Sequence, residues 1–351
     1  MKKLFAFLAV FSALLTLSCN KAENVISSPK LSVEKPSGVL TKAVVDKSPS
    51  SFVYVETNDV NPLNALDYYL DDGTPYFDYV CFFSSNIHKE TIDGTGEVRP
   101  TLYLNPELTP YLCNNGSPIT TYTEPFHEQD QEVILGVLGD WVGLGLSNMS
   151  STQQYQFAYI LCCVVTQCGF DGVLFDDEYS GSNSIVNGSY SGIITYFKQL
   201  CPNKKVFVFD WGGSGYISST ASSYIKDAQH GYFNYYLPLS YCNIPGIGAS
   251  QWSSLSIQLG NTYSTSAITT LKNRATSTYN AGYDQIMFFN LRAICSNVDN
   301  NAVDPSPVLD AVAEGAQWGN LDTVIGGCRA KLTPVSGGCT ITYDMALNCC
   351  N

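Results

Sequence analysis

Asp171-Gly172-Val173-Leu174-Phe175-Asp176-Asp177-Glu178-Tyr179 is an apolar, β-prone run that ends in three consecutive acids. Side chains alternate along a strand, so Leu174, Asp176 and Glu178 share one face while Asp177 points to the other. Two carboxylates that close raise the proton affinity of one of them. A carboxylic acid that keeps its proton near neutral pH is what a general acid requires. Taken by itself, an Asp-Asp-Glu at a strand end reads more readily as a set of acids capping the next loop.

The rest of the chain sets the context of that strand. Phe52–Glu56, Phe77–Ser84, Glu132–Leu138, Gly172–Glu178, Lys205–Asp210, Tyr232–Leu239 and Gln285–Asn290 read as strands, with an eighth expected near Leu321–Ile325. Apolar residues at helical spacing predict helices over Thr152–Gln167, Ser191–Leu200, Ser264–Tyr279 and Pro307–Trp318. Strands alternating with helices predict a parallel sheet, which a doubly wound open sheet or a closed barrel would satisfy. About 280 residues in one unit, with strands apolar on both faces, favour the (β/α)8 TIM barrel, an α/β fold. The Gly/Ser-rich linkers around strand 6 are weakly helical, so some outer helices are expected to be reduced or missing. Barrel enzymes collect their active sites at the carboxyl ends of the strands, which is where Glu178 falls.

The N-terminus adds a basic start, Met1-Lys2-Lys3, and an apolar run from Leu4 to Leu17 that is too short to cross a bilayer. It reads as a secretory signal. The sequence Leu15-Thr16-Leu17-Ser18-Cys19 is similar to the lipobox of bacterial lipoproteins, with Thr16 where Leu is usual. Cys19 is then the lipid attachment point. The expected organisation is a signal over 1–18, a flexible tether over 19–50, a barrel over 51–327 and a Cys-rich C-terminal tail over 328–351. The expected location is outside the cytoplasm: outer membrane, cell surface or periplasmic face, with membrane contact through the anchor alone.

The chain has 13 Cys, so assigning Cys19 to lipid leaves 12, an even number in a compartment that permits disulfides. Cys81, Cys162, Cys163 and Cys168 lie in apolar stretches and are expected as small buried hydrophobes, whereas Cys328, Cys339, Cys349 and Cys350 look like a staple. Neither their spacing nor the scattered His88, His127 and His230 fits a metal centre, and no cofactor is expected. Net charge is −13, and loss of Lys2 and Lys3 leaves 16 basic against 31 acidic residues, or −15, which argues against nucleic acid as a partner. Low charge with 23 Tyr and 17 Phe suits a large core and an aromatic-rich site for a neutral ligand.

The full run Asp171 to Tyr179 resembles the Asp-Gly-x-Asp-x-Asp-x-Glu signature of glycoside hydrolase family 18, and its Phe-Asp-Asp-Glu-Tyr form resembles the endo-β-N-acetylglucosaminidase branch. Tyr54–Asn64 looks like the first strand and loop of those enzymes, and Leu135–Gly139 with Gly143–Asn148 looks like the third. Ile244–Ile247, Gly282-Tyr283 and Asn290-Leu291 extend the similarity, which covers roughly residues 50–295. The resemblance implies an enzyme acting on the GlcNAc-β1,4-GlcNAc core of N-linked glycans, in which the substrate's acetamido oxygen attacks the anomeric carbon. Glu178 would protonate the leaving oxygen and then activate water, and Asp176 would orient the acetamido group. Tyr236 and Tyr241 are alternative partners for the acetamido oxygen; Trp141, Tyr179 and Asn290 are further expected substrate contacts.

Leu174 stands where the family has an Asp, and Asp140-Trp141 replaces its usual Asn-His pair. Leu174 removes the acid that shares a hydrogen bond with the second Asp, so slower or altered catalysis is expected. The competing reading is a surface glycan-binding protein on the same barrel with weakened or absent activity. A chitinase is a third reading, disfavoured because Asp177 replaces the Trp that chitinases usually carry between the last Asp and Glu. A monomer is expected.

Overall fold

The computed structural model describes residues 47–114, 116–139, 143–178, 184–210, 216–230, 242–322 and 326–349. Eight strands form the barrel: β1 Ser50–Glu56, β2 Tyr79–Thr91, β3 Glu132–Leu138, β4 Gly172–Asp176, β5 Lys205–Asp210, β6 Asp227–His230, β7 in two pieces, Trp252–Ser253 and Leu255–Gln258, and β8 Gln285–Phe289. All pair in parallel with their barrel neighbours. The two pieces of β7 close the ring, since Trp252 and Ser253 pair with β6 while Leu255–Gln258 pair with β8. β4 is buried at all five positions and β1 at all but its ends, as strands between a filled interior and an outer layer must be.

Four long helices follow β3, β4, β7 and β8: α1 Ser151–Gln167, α2 Ser189–Leu200, α3 Thr265–Asn280 and α4 Ser306–Gly315. α1 starts at a capping box, in which Ser150 and Gln153 exchange side-chain and backbone bonds, and Ser264 caps α3. Elsewhere the connections carry only short helical pieces among the described residues, such as Pro62–Asp67 after β1 and Ser219–Ser222 after β5. Among the described residues the outer helices are thus reduced, while 211–215 and 231–241 of the linkers around β6 lie outside them. β2 runs on past the barrel into a hairpin with Val98–Leu104, to which Cys339–Ile341 adds a third strand. Among the described residues no helix is long and apolar enough to cross a membrane.

Of the strand expectations, one lies outside the described residues and the strand count after it needs correction. The segment expected as strand 6, Tyr232–Leu239, lies outside the described residues, and β6 begins earlier, at Asp227. Polar Asp227 and Gln229 hid it, because they point into the barrel where an apolar residue is the rule. The strand missed altogether is β7, whose Trp252-Ser-Ser-Leu-Ser-Ile-Gln258 is rich in Ser, so that Gln285–Phe289 is the eighth strand rather than the seventh. Of the segment expected near Leu321–Ile325, Leu321 makes an isolated bridge to Leu70, while residues 323–325 lie outside the described residues.

Cysteine usage also departs from expectation. Cys162, expected as a buried hydrophobe, bridges to Cys201, and Cys163 is disulfide-bonded too. α1 packs along α2, so a Cys on that flank of α1 meets the C-cap of α2. Cys328 pairs with Cys295, whereas Cys339 is a free thiol lying against Cys113. Cys81 and Cys168 are buried free thiols, as expected.

Candidate active site

The interior of the barrel is filled by Phe52, Tyr54, Tyr79, Cys81, Ile134, Leu174, Phe207, Phe209 and Met287, with Phe83 and Phe289 packed against them. Leu174 is 0 % exposed in this cluster. Above this apolar floor, at the carboxyl ends of the strands, opens a cavity of about 360 Å³ lined by Tyr54, Glu56, Asp59, Phe83, Asp176, Glu178, Phe209, Phe289 and Asn290. Small-molecule sites run from about 300 to 1,000 Å³, so the volume is that of a compact ligand.

Strand alternation puts Asp176 above Leu174 inside the barrel, where it is 4 % exposed, while Glu178, just past the strand, is exposed on the same cavity. Asp177 turns the other way, as the alternation requires, and accepts a 2.7 Å bond from Ser147 Oγ. It anchors the loop after β3 to the end of β4; the backbone N–H of Gly139 donates to Asp176 O at 2.7 Å in the same corner. A Cβ at Gly139 would lie 2.8 Å from Asp177 Oδ1, so a larger residue there would have to displace the Asp177 carboxylate.

β1 contributes Tyr54 and Glu56 from its inward face. The Tyr54 hydroxyl donates to Gln229 Oε1, and Gln229 Nε2 donates to Gln285 Oε1 at 2.6 Å, forming a polar ladder from β1 through β6 to β8. Burial, and then the neighbouring Cys81, Asp176 and Asp227, push the Tyr54 hydroxyl well above its usual range, so it stays a donor. Burial raises Glu56 to about 7, with Asp59 and Glu178 adding and Arg292 opposing. The Arg292 guanidinium is bonded to Asp299 at 2.8 and 2.6 Å and to Asp59. Asn290 ends β8 in the left-handed region at φ 55°, and a Cβ at Gly260 would lie 2.4 Å from its Nδ2. A non-glycine residue held there at a cavity wall is a common mark of a functional position.

Of the expected site residues, Asp176, Glu178 and Asn290 are brought together on the cavity. Tyr236, Tyr241, Trp141 and Tyr179, and Cys19 at the N-terminus, lie outside the described residues. Sequence reasoning missed Tyr54, Glu56, Asp59 and Gln229. For the first two the signal was present, since Phe52, Tyr54 and Glu56 alternate on one face of a strand entering a polar loop. Among the described residues no group of three or more His, Cys, Asp or Glu is arranged to hold a metal ion.

No family model matches the chain. It is 29 % identical over 250 residues to endo-β-N-acetylglucosaminidase F1 of Elizabethkingia meningoseptica, covering 66 % of this chain and 70 % of that protein. It is 28 % identical over 264 residues to the endo-β-N-acetylglucosaminidase of Flavobacterium sp. (strain SK1022), covering 73 % and 80 %. The fold matches two structures of Bacteroides thetaiotamicron EndoBT-3987, one with Man5GlcNAc product at TM-score 0.58 and 24 % identity, the other with Man9GlcNAc2Asn substrate at 0.61 and 22 %. These cover 85 % of this chain and 66 % and 72 % of those chains, so this chain spans about two thirds of the length of the first. A closed parallel barrel with two carboxyl groups at the end of β4 defines a (β/α)8-barrel glycosidase. Within that class, the chain is similar in sequence to two endo-β-N-acetylglucosaminidases, in keeping with the resemblance of its β4 run to the glycoside hydrolase family 18 signature.

Proposed function

We propose that the protein hydrolyses the GlcNAc-β1,4-GlcNAc core of N-linked glycans by substrate-assisted, retaining catalysis. The observation that carries this reading is the pairing of Asp176 and Glu178 on one cavity above an apolar floor, at the carboxyl end of β4. The two curated relatives carry the endo-β-N-acetylglucosaminidase name, and a structural neighbour is described with Man9GlcNAc2Asn substrate.

Glu178, at the solvent side of the cavity, protonates the glycosidic oxygen as the acetamido oxygen attacks the anomeric carbon; it then takes the proton of the incoming water. Asp176, buried and set deeper, orients the acetamido N–H and opposes the positive charge of the oxazolinium ion. The surrounding Phe83, Phe209 and Phe289 lower the local dielectric, which strengthens both interactions. The test is mass analysis of products from a high-mannose glycoprotein. Release of a glycan ending in one GlcNAc, with the other GlcNAc left on Asn, is expected; intact glycan across several classes would sink the reading.

A second reading, glycan binding with weak turnover, is favoured by Leu174, which packs into the apolar cluster and leaves Asp176 without an acid two residues below it. Tight binding of unhydrolysed glycan after prolonged incubation would select it. We also infer that Cys19 carries a lipid, that 19–50 is the tether and that the protein is exported and monomeric. Radiolabelled palmitate should enter the wild type and not Cys19→Ala, and light scattering should return the mass of one chain.

A further inference from the structure

Glu56 is the carboxyl on this cavity that the reaction above does not use. It closes β1 on the inward face, two residues beyond Tyr54, and none of the hydrogen bonds or ion pairs among the described residues engages its carboxyl group. Acids surround it. Asp59 stands beside it in the loop after β1, Glu178 faces it from β4, Asp176 lies deeper on β4, and the Cys81 thiol approaches from β2. The nearby cation is Arg292, after β8, and its guanidinium is committed to Asp299 and Asp59. A half-buried carboxyl group with no hydrogen-bond or ion-pair partner among the described residues, set in the wall of a sugar-sized cavity, is placed to meet the ligand.

We propose that Glu56 is a substrate-positioning residue of this site: it contacts the neutral sugar held over Asp176 and Glu178, and does so in its protonated form. The inference rests on the glycosidase reading of the site. A neutral sugar that fills the cavity displaces water, which strengthens repulsion among the acids that remain and favours the uncharged form of the one with least compensation. Glu56 is that acid, since burial, Asp59 and Glu178 already lift it to about 7. By linkage, a ligand that prefers protonated Glu56 binds less tightly as pH rises through that value, by up to about tenfold for each unit by which the ligand raises it further.

KM and kcat for release of a high-mannose glycan from a glycopeptide, measured from pH 5.5 to 8.5, separate this contact from the chemistry of Glu178. In the wild type KM is expected to rise about tenfold across that range. Glu56→Gln, a neutral amide of the same size, should hold KM within about twofold over the same range, and Glu56→Ala should raise KM about tenfold even at pH 5.5. A Glu56→Gln profile whose KM follows the wild type, or a Glu56→Ala enzyme with wild-type KM at pH 5.5, overturns the inference. If the wild type releases no glycan, the catalytic reading fails instead, and the same pH series read as dissociation constants by calorimetry still decides the role of Glu56. Should neither variant fold, a 13C titration of the wild-type glutamate carboxyls decides. The highest-titrating one is expected to move up when glycan is added, and no movement refutes the contact.

Discussion

Restoring an acid at position 174 should damage this protein rather than improve it. Leu174 is fully buried, and its neighbours are Phe52, Tyr54, Tyr79, Cys81, Ile134, Phe207, Phe209 and Met287. Leu174→Asp loses the transfer free energy of a buried Leu, about 2–3 kcal/mol. It also buries a carboxyl group without a partner, about 1–3 kcal/mol even when protonated. The total is about 3–6 kcal/mol, which in a chain of this size corresponds to a fall in Tm of roughly 5–10 °C. The loss must grow with pH. The unfolded Asp ionises near 4, whereas the buried one holds its proton to a higher pH, so each unit above about 4 removes up to about 1.4 kcal/mol more until the folded value is passed. Calorimetric melts of wild type and Leu174→Asp at pH 5 and pH 8, with product release measured on the same samples, test both parts. A variant that melts within about 3 °C of wild type at pH 8 would mean that the floor of the cavity admits water or a polar partner. A variant that also turned over faster would show that the apolar floor is no adaptation of this site.

Glu178→Gln should lower kcat by about a thousandfold or more while the melting temperature stays within a few degrees, because the side chain is exposed and its loss costs little packing. Near-wild-type turnover would remove Glu178 from the mechanism. Asp227→Asn should stabilise the protein increasingly as pH rises from about 4 to 8: burial and then Asp284 hold the Asp227 carboxyl well above its usual range against the opposing charge of Lys226, so the folded state binds the proton more tightly than the unfolded chain and wild-type stability falls over that window. Parallel stability curves for the two proteins, by urea unfolding, would contradict this. Replacing Cys162 and Cys201 together by Ser should cost about 4 kcal/mol, from the loop entropy of a 39-residue separation, with no change in KM because the bridge lies in the outer helical layer; an unchanged urea midpoint would count against it.

The β4 run was readable because its apolar centre and acidic end obey strand alternation, and the same rule correctly separated Asp176 and Glu178 from Asp177. α1 to α4 were readable for the same kind of reason, since apolar spacing is a local signal, and so are the Ser caps of α1 and α3. β6 and β7 were not, because their reason for being strands is not local. Gln229 is buried in β6 only because Tyr54 and Gln285 reach it from β1 and β8, and the Ser residues of β7 are tolerated because the strand is held by neighbours on both sides. The Cys162–Cys201 bridge was hidden likewise, since two apolar-looking segments become partners only once α1 lies along α2. At the cavity, Asn290 and the two acids are residues expected from the sequence, while Glu56 and Asp59 needed the barrel to close before they came beside Glu178.

Closure of the barrel also explains how the site stays ordered without an acid at position 174. In the family pattern that acid lies two residues below Asp176, on the same strand. Here the place is apolar, and the polar contacts of the interior are on the other side of the ring, in the ladder from Tyr54 through Gln229 to Gln285. A ladder of neutral groups needs no counter-charge, so it can be fully buried without the penalty of an ionised group. Its upper end, Tyr54, borders the cavity with its hydroxyl kept protonated, and its ring packs edge-on against Phe83 and Phe209 at 5.7 Å each. The acids that line the cavity are Asp176 at depth and Glu56, Asp59 and Glu178 nearer the rim. Such a gradient, apolar below and acidic above, holds a neutral sugar against the floor and presents its glycosidic oxygen to the acids. An added carboxyl group in the floor would reverse it, which is why Leu174→Asp is expected to lose stability without gaining rate.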